Sequence, residues 1–124
     1  MESYALTEFP IEMKHGSTFI LPFYYRDTGG NVIDLSNYTA KMHVRRTSEA
    51  AGDPDIVLTT ENGGLTIDGT NGLITVQILR AETVNLAQDY SGRWDLYLIP
   101  TEATAFCLVG GPFTIYPSVT RPLT

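Results

Sequence analysis

The chain has 124 residues, 43% of them hydrophobic, and a formal net charge of -6. That is enough for one core in one domain, and the acidic balance, with a pI near 4.7, repels phosphate backbones and argues against a nucleic-acid partner. No apolar run approaches the roughly 18 residues of a membrane-crossing helix. The acidic start, MESYALTEFPIE, lacks the basic-then-apolar pattern of a secretory signal.

The single cysteine, Cys107, excludes an intrachain disulfide and fits folding in a reducing cytoplasm. Charged residues make up 18% of the chain, below the usual ~25%. The extra uncharged surface suits a protein that lives in an assembly.

In chain order, residues 4–13 alternate loosely and carry Pro10, which predicts an edge strand or one that switches sheets at a kink. Lys14–Ser17 reads as a turn. Phe19, Leu21, Phe23 and Tyr25 then share one strand face, and Pro22 removes a ladder donor, so this strand is bulged or at an edge there. Asp27-Thr28-Gly29-Gly30-Asn31 is a turn. Val32–Tyr38 links it to a strand with Ala40, Met42 and Val44 on one side and Lys41, His43 and Arg45 on the other. Arg46–Asp55 is polar and rich in small residues, the pattern of a mobile loop.

Ile56–Thr60 and Leu65–Ile67 are short strands separated by Asn62-Gly63-Gly64. Asp68–Gly72 turns into the strand with Ile74, Val76 and Ile78 on one face. Ala81–Ala87 has room for one or two helical turns. A strand with Trp94, Leu96 and Leu98 on one face and Arg93, Asp95 and Tyr97 on the other follows, and period-two alternation marks both strands as half-buried. Thr101–Thr104 is a hairpin loop, Gly110-Gly111-Pro112 a bend or bulge, and Phe113–Pro117 the last strand. Seven to nine short strands with turn chemistry between them predict one all-β domain over 1–124, a sandwich or barrel. Residues 1–9 form an extended N-terminal segment, and residues 118–124 form a C-terminal tail.

Chemistry-bearing patterns are sparse. His15 lies in a turn and His43 on a polar strand face, and no metal-ligand spacing joins them, so both read as surface or half-buried side chains. Cys107 has no helix N-terminus or histidine placed to lower its pKa, and it reads as a structural thiol. Asp68–Gly72 lacks the ligand set of a calcium loop. The glycine pairs match no phosphate-cradling motif. No catalytic residue, cofactor or metal site is expected, and the chain is expected not to be an enzyme.

Several stretches together resemble a known family: Gly16-Ser17-Thr18-Phe19, Tyr25–Asn31, Asp34–Arg45, Gly72–Val76, Gly92–Leu98 and Gly110–Thr120. This order resembles the small immunoglobulin-like β-sandwich structural proteins of tailed bacteriophages, and through them the N-terminal domains of baseplate upper proteins. The resemblance covers residues 16–120 and rests on turn glycines and core strands. It implies an immunoglobulin-like antiparallel β-sandwich that acts as an adaptor in a tail, baseplate or tail-fibre attachment, made in the host cytoplasm and carried in the virion.

The expected partners are other virion structural proteins, in multiple copies within a symmetric assembly, with no nucleic acid and no membrane. Exposed aromatics and extended termini would make the contacts, at Tyr4, Phe9, Tyr24, Tyr97, Tyr116, Val119 and Arg121, with the loop around Ala50-Ala51-Gly52. The alternative is a carbohydrate-binding module that uses exposed tyrosines.

Overall fold

The computed structural model describes residues 8–121; Tyr4 lies outside them. Among the described residues there are eight strands: β1 (Ile11–Lys14), β2 (Phe19–Tyr24), β3 (Thr39–Arg45), β4 (Ile56–Thr59), β5 (Leu65–Asp68), β6 (Leu73–Ile78), β7 (Ser91–Thr101) and β8 (Thr104–Tyr116). One short helix, α1 (Arg80–Thr83), joins β6 to β7. The strands form a five-stranded sheet, β1-β8-β7-β3-β4, and a three-stranded sheet, β2-β6-β5.

The core lies between the sheets because each strand alternates. Ala40, Met42 and Val44 of β3, Ile74, Val76 and Ile78 of β6, and Trp94, Leu96 and Leu98 of β7 are all buried. The two strands with the clearest pattern, β6 and β7, belong to different sheets and turn these residues into the shared core. Each fully buried side chain of this size contributes about 1.5–3 kcal/mol. Phe9, Phe23 and Trp94 form an aromatic chain, with ring centroids 5.4 Å apart for the first pair and 6.2 Å for the second. The indole N–H of Trp94 donates to the Phe9 carbonyl at 2.9 Å.

Two facing sheets, short turns and a tyrosine at the entry to β7 make this an immunoglobulin-like β-sandwich. The resemblance implies an antiparallel sandwich, but the pairing is not wholly antiparallel. β1 runs parallel to β8, with Ile11 opposite Phe113 and Lys14 opposite Tyr116.

Both prolines expected at edges sit there for a definite reason. Tyr25 donates to the Gly72 carbonyl, and the register alternates from that point, so Ile20, Pro22 and Tyr24 turn their backbone groups away from β6. By the same reasoning, Phe9 and His15 donate to Gly110 and Tyr116, which leaves Pro10 on the open side of β1. Neither proline lacks a donor that the ladder needs. At β4 the side chain of Asn62 blunts the edge instead: its Oδ1 accepts from Thr59 N–H and its Nδ2 donates to the Val57 carbonyl.

Three local expectations are corrected. Gly110-Gly111-Pro112 does not bend: the register to β7 is continuous from Val109 to Thr114, and the irregularities fall between Leu96 and Tyr97 and between Leu98 and Thr101. A Cβ on Gly111 would lie 2.6 Å from the Phe9 carbonyl oxygen, so glycine is required there by the close passage of the N-terminal segment.

The segment 46–55 is tied down rather than loose. Arg45 donates to the carbonyls of Ala50 and Gly52, Arg46 stacks 4.3 Å from the Tyr90 ring centroid, and the Tyr90 hydroxyl donates to Asp55 at 2.5 Å. Finally, His15 is buried, with Nε2 donating to the Leu86 carbonyl at 3.0 Å, because the turn after β1 folds under the segment between α1 and β7.

Candidate protein-binding faces

Alternation leaves each sheet an outer face, and the residues on it are those that point away from the core. On the three-stranded sheet, β2 shows Ile20, Pro22 and Tyr24 outward; Ile20 is 61% and Tyr24 59% exposed. Arg26 lies 5.3 Å from the Tyr24 ring centroid, a cation–π contact at the end of the row. Val32, bridged to Arg26, is also exposed.

The outer face of the five-stranded sheet is more polar. Cross-strand register sets Arg45 opposite Arg93, His43 opposite Asp95 and Lys41 opposite Tyr97. Like charges directly opposite one another destabilise a sheet, and this pair is relieved by neighbours. Glu8 pairs with Arg93 at 2.8 Å, and Arg45 is held by the two loop carbonyls. A hollow of about 330 Å³ opens among Glu8, His43, Arg45, Arg93, Asp95 and Cys107. It exists partly because Gly110, opposite Asp95, has no side chain to fill it. A second hollow of about 210 Å³, lined by Lys41, His43, Asp95, Tyr97, Ile99 and Ala105, adjoins it.

Electrostatics across this face follow from crowding and from its cations. Burial first, then Arg45 and Lys41, pull the His43 pKa below its ordinary value, against Asp95. Burial pushes the Asp95 carboxyl up, with His43 and Arg45 opposing. Burial, and then the Asp95 charge, raise the Cys107 thiol. The thiol contacts the Val109 carbonyl at 3.7 Å.

His43, Asp95 and Cys107 thus share one hollow, which spacing along the chain did not reveal. A nucleophilic thiol needs a depressed pKa, whereas burial and the Asp95 charge push this one up. Among the described residues, no group of three or more His, Cys, Asp or Glu could hold a metal ion.

The expected contact residues are scattered rather than gathered. Tyr24 lies on one sheet; Tyr97 and Tyr116, 40% and 44% exposed, lie on the other. The Tyr116 hydroxyl donates to Glu12 at 3.1 Å. Phe9 packs on Phe23 and lends its carbonyl to Trp94, which makes it part of the scaffold. Val119 is 90% exposed and Arg121 is exposed, beyond Ser118, whose N–H donates to Gln88. Arg45 and Arg93 were not singled out from the sequence. The available signal was the basic run at alternate positions 41, 43 and 45.

No family model matches the chain, and no curated protein matches it. Among solved structures, Tim-1 is 16% identical, with 98% of this chain and 100% of that chain covered and a TM-score of 0.40. The voltage-gated sodium channel β4 subunit, solved as parallel homodimers of its extracellular domains, is 14% identical, covering 100% and 97% of the two chains at a TM-score of 0.41. Drosophila OTK extracellular domains 3–5 are 14% identical, covering 93% of this chain and 34% of that one at a TM-score of 0.32. Likeness at this level says nothing of what this chain binds.

Proposed function

We propose that this protein is a non-enzymatic structural adaptor of a tailed-phage virion, joining tail, baseplate or tail-fibre components through its sandwich faces. The observation that carries the reading is the outward row Ile20, Pro22 and Tyr24 on β2. Large apolar side chains displayed together on a rigid strand suit burial against another protein. Pro22 takes a donor off that open edge, which favours packing onto the face over strand addition. The resemblance in residues 16–120 supplies the virion context.

The test is pull-down of purified virion structural proteins by the full chain. Ile20→Ser and Tyr24→Ser together should abolish capture while leaving the unfolding midpoint unchanged. Capture that survives the double substitution removes the β2 row from the reading. Binding to a glycan array with loss on Tyr24→Ala replaces it with carbohydrate recognition.

A further inference from the structure

The charges of this chain are unevenly placed. Lys14, Lys41, Arg45 and Arg93 lie on the outer face of the five-stranded sheet with Glu8, Glu12 and Asp95. That is half of the chain's eight Lys and Arg but only three of its fourteen Asp and Glu. The face is therefore close to neutral, and the rest of the molecule carries the whole acidic excess. Two copies that meet through the acidic parts of that remainder oppose negative to negative, at a cost in free energy. Across this face that repulsion disappears.

The signs are also sorted across the face. Glu8, paired with Arg93, and Glu12 border it at β1 with Lys14 at the end of that strand, Lys41 and Arg45 run along β3, and Tyr97 stands between them on β7, the middle strand of the five. An isologous contact repeats one patch against itself. A two-fold axis parallel to the strands and between β7 and β8 lays the acidic border at β1 of each copy over the cationic β3 of the other. It also brings Tyr97 over the hollow formed by Lys41, Ile99 and Ala105. A rigid aromatic near the centre of a patch beside a hollow is the arrangement of an interface anchor. With strands about 4.8 Å apart and a rise of about 3.3 Å per residue, the face offers a footprint of about 500 Å² per copy. The pair then covers about 1,000 Å² in all, where specific interfaces begin.

We infer that the outer face of the five-stranded sheet is a self-association face, on which two copies of this chain pack about a two-fold axis beside Tyr97. It is separate from the β2 row, so an adaptor would hold a partner on one sheet and its own copy on the other.

The experiment is sedimentation equilibrium of the full chain between about 1 μM and about 1 mM, the range expected of a modest interface. The expected result is a weight-average mass rising from 13.7 kDa toward twice that value and stopping there. Tyr97→Arg and, separately, Lys41→Glu should each raise the dimer dissociation constant tenfold or more, with the circular dichroism of the folded chain unchanged. Tyr97→Cys in a Cys107→Ser background should form a disulfide-linked dimer on mild oxidation, since a residue beside the axis meets its own copy. Ile20→Cys in the same background should not.

A chain that stays monomeric throughout, or grows past the dimer, overturns the inference. Equal cross-linking of the two cysteine variants does the same. The Tyr97 and Lys41 variants leave the β2 row untouched, so failure there leaves the partner capture by Ile20 and Tyr24 to stand or fall separately.

Discussion

The outer faces of the two sheets come from the same alternating pattern and present different chemistry. On β2 the outward positions hold Ile20, Pro22 and Tyr24, an apolar row along an open edge. On the five-stranded sheet the outward positions bring Arg45 against Arg93 and His43 against Asp95, with a hollow where Gly110 leaves a gap. A strand at an edge has cross-strand neighbours on one side only, here Gln77, Thr75 and Leu73 of β6. A strand inside a wide sheet has cross-strand neighbours on both sides, and those neighbours set its electrostatics. The difference teaches that composition along a strand predicts an edge face well and an interior face poorly.

Both faces depend on one core, so the largest expected effect removes it. Trp94→Ala takes away the central ring and the indole bond to Phe9. It should cost about 3–5 kcal/mol, read as a lower urea midpoint, and both surfaces should be lost together. If only the five-stranded face is lost, the sheets are less coupled than their shared core implies.

Next is Gly111→Ala, whose Cβ would press on the Phe9 carbonyl. Displacing that segment should cost about 1–3 kcal/mol and free Glu8 from Arg93, which perturbs the five-stranded face while leaving the β2 row intact. Amide hydrogen exchange at Phe9 and Ile11 checks it.

Tyr90→Phe removes the hydroxyl that holds Asp55. A hydrogen bond to a charged group contributes about 1.5–3 kcal/mol when formed, so stability should fall by up to that much. Exchange should quicken across 46–55, beside Arg45, and stay unchanged at Tyr24.

The smallest effect is a titration. His43 is held below its ordinary value of 6.5, so the folded chain binds fewer protons than the unfolded chain as pH drops through that value. Stability from this group is therefore present above the unfolded-state pKa and is lost as pH falls. Nuclear magnetic resonance should show His43 titrating below 6.5. Arg45→Gln should move it up, and Asp95→Asn should move it further down. A His43 that ignores both changes would mean that burial alone sets its proton affinity. The β2 row lies on the other sheet, so it should bind its partner independently of this titration.

Much of the scaffold could be read along the chain. Period-two alternation singled out Ala40, Met42 and Val44, then Ile74, Val76 and Ile78, then Trp94, Leu96 and Leu98, because burial on one side of a pleat repeats every second residue. Asp27–Asn31 was recognisable as a turn, since the Asp27 carboxylate caps the N–H groups of Gly29 and Asn31. Pro22 announced an edge. Tyr24, Tyr97 and Tyr116 were expected outside the core and are.

What alternation assigns is a face, never a neighbour. Which strand lies beside which is settled by closing the whole sandwich, so only the tertiary structure could show β1 running parallel to β8 from the far end of the chain. The same holds for Arg45 facing Arg93, for Asp55 reaching Tyr90, and for His15 buried against Leu86. Each joins residues dozens of positions apart, a relation that no local spacing encodes. The core was written in the sequence because burial is a property of single positions. The binding faces were not, because their charge and shape belong to pairs.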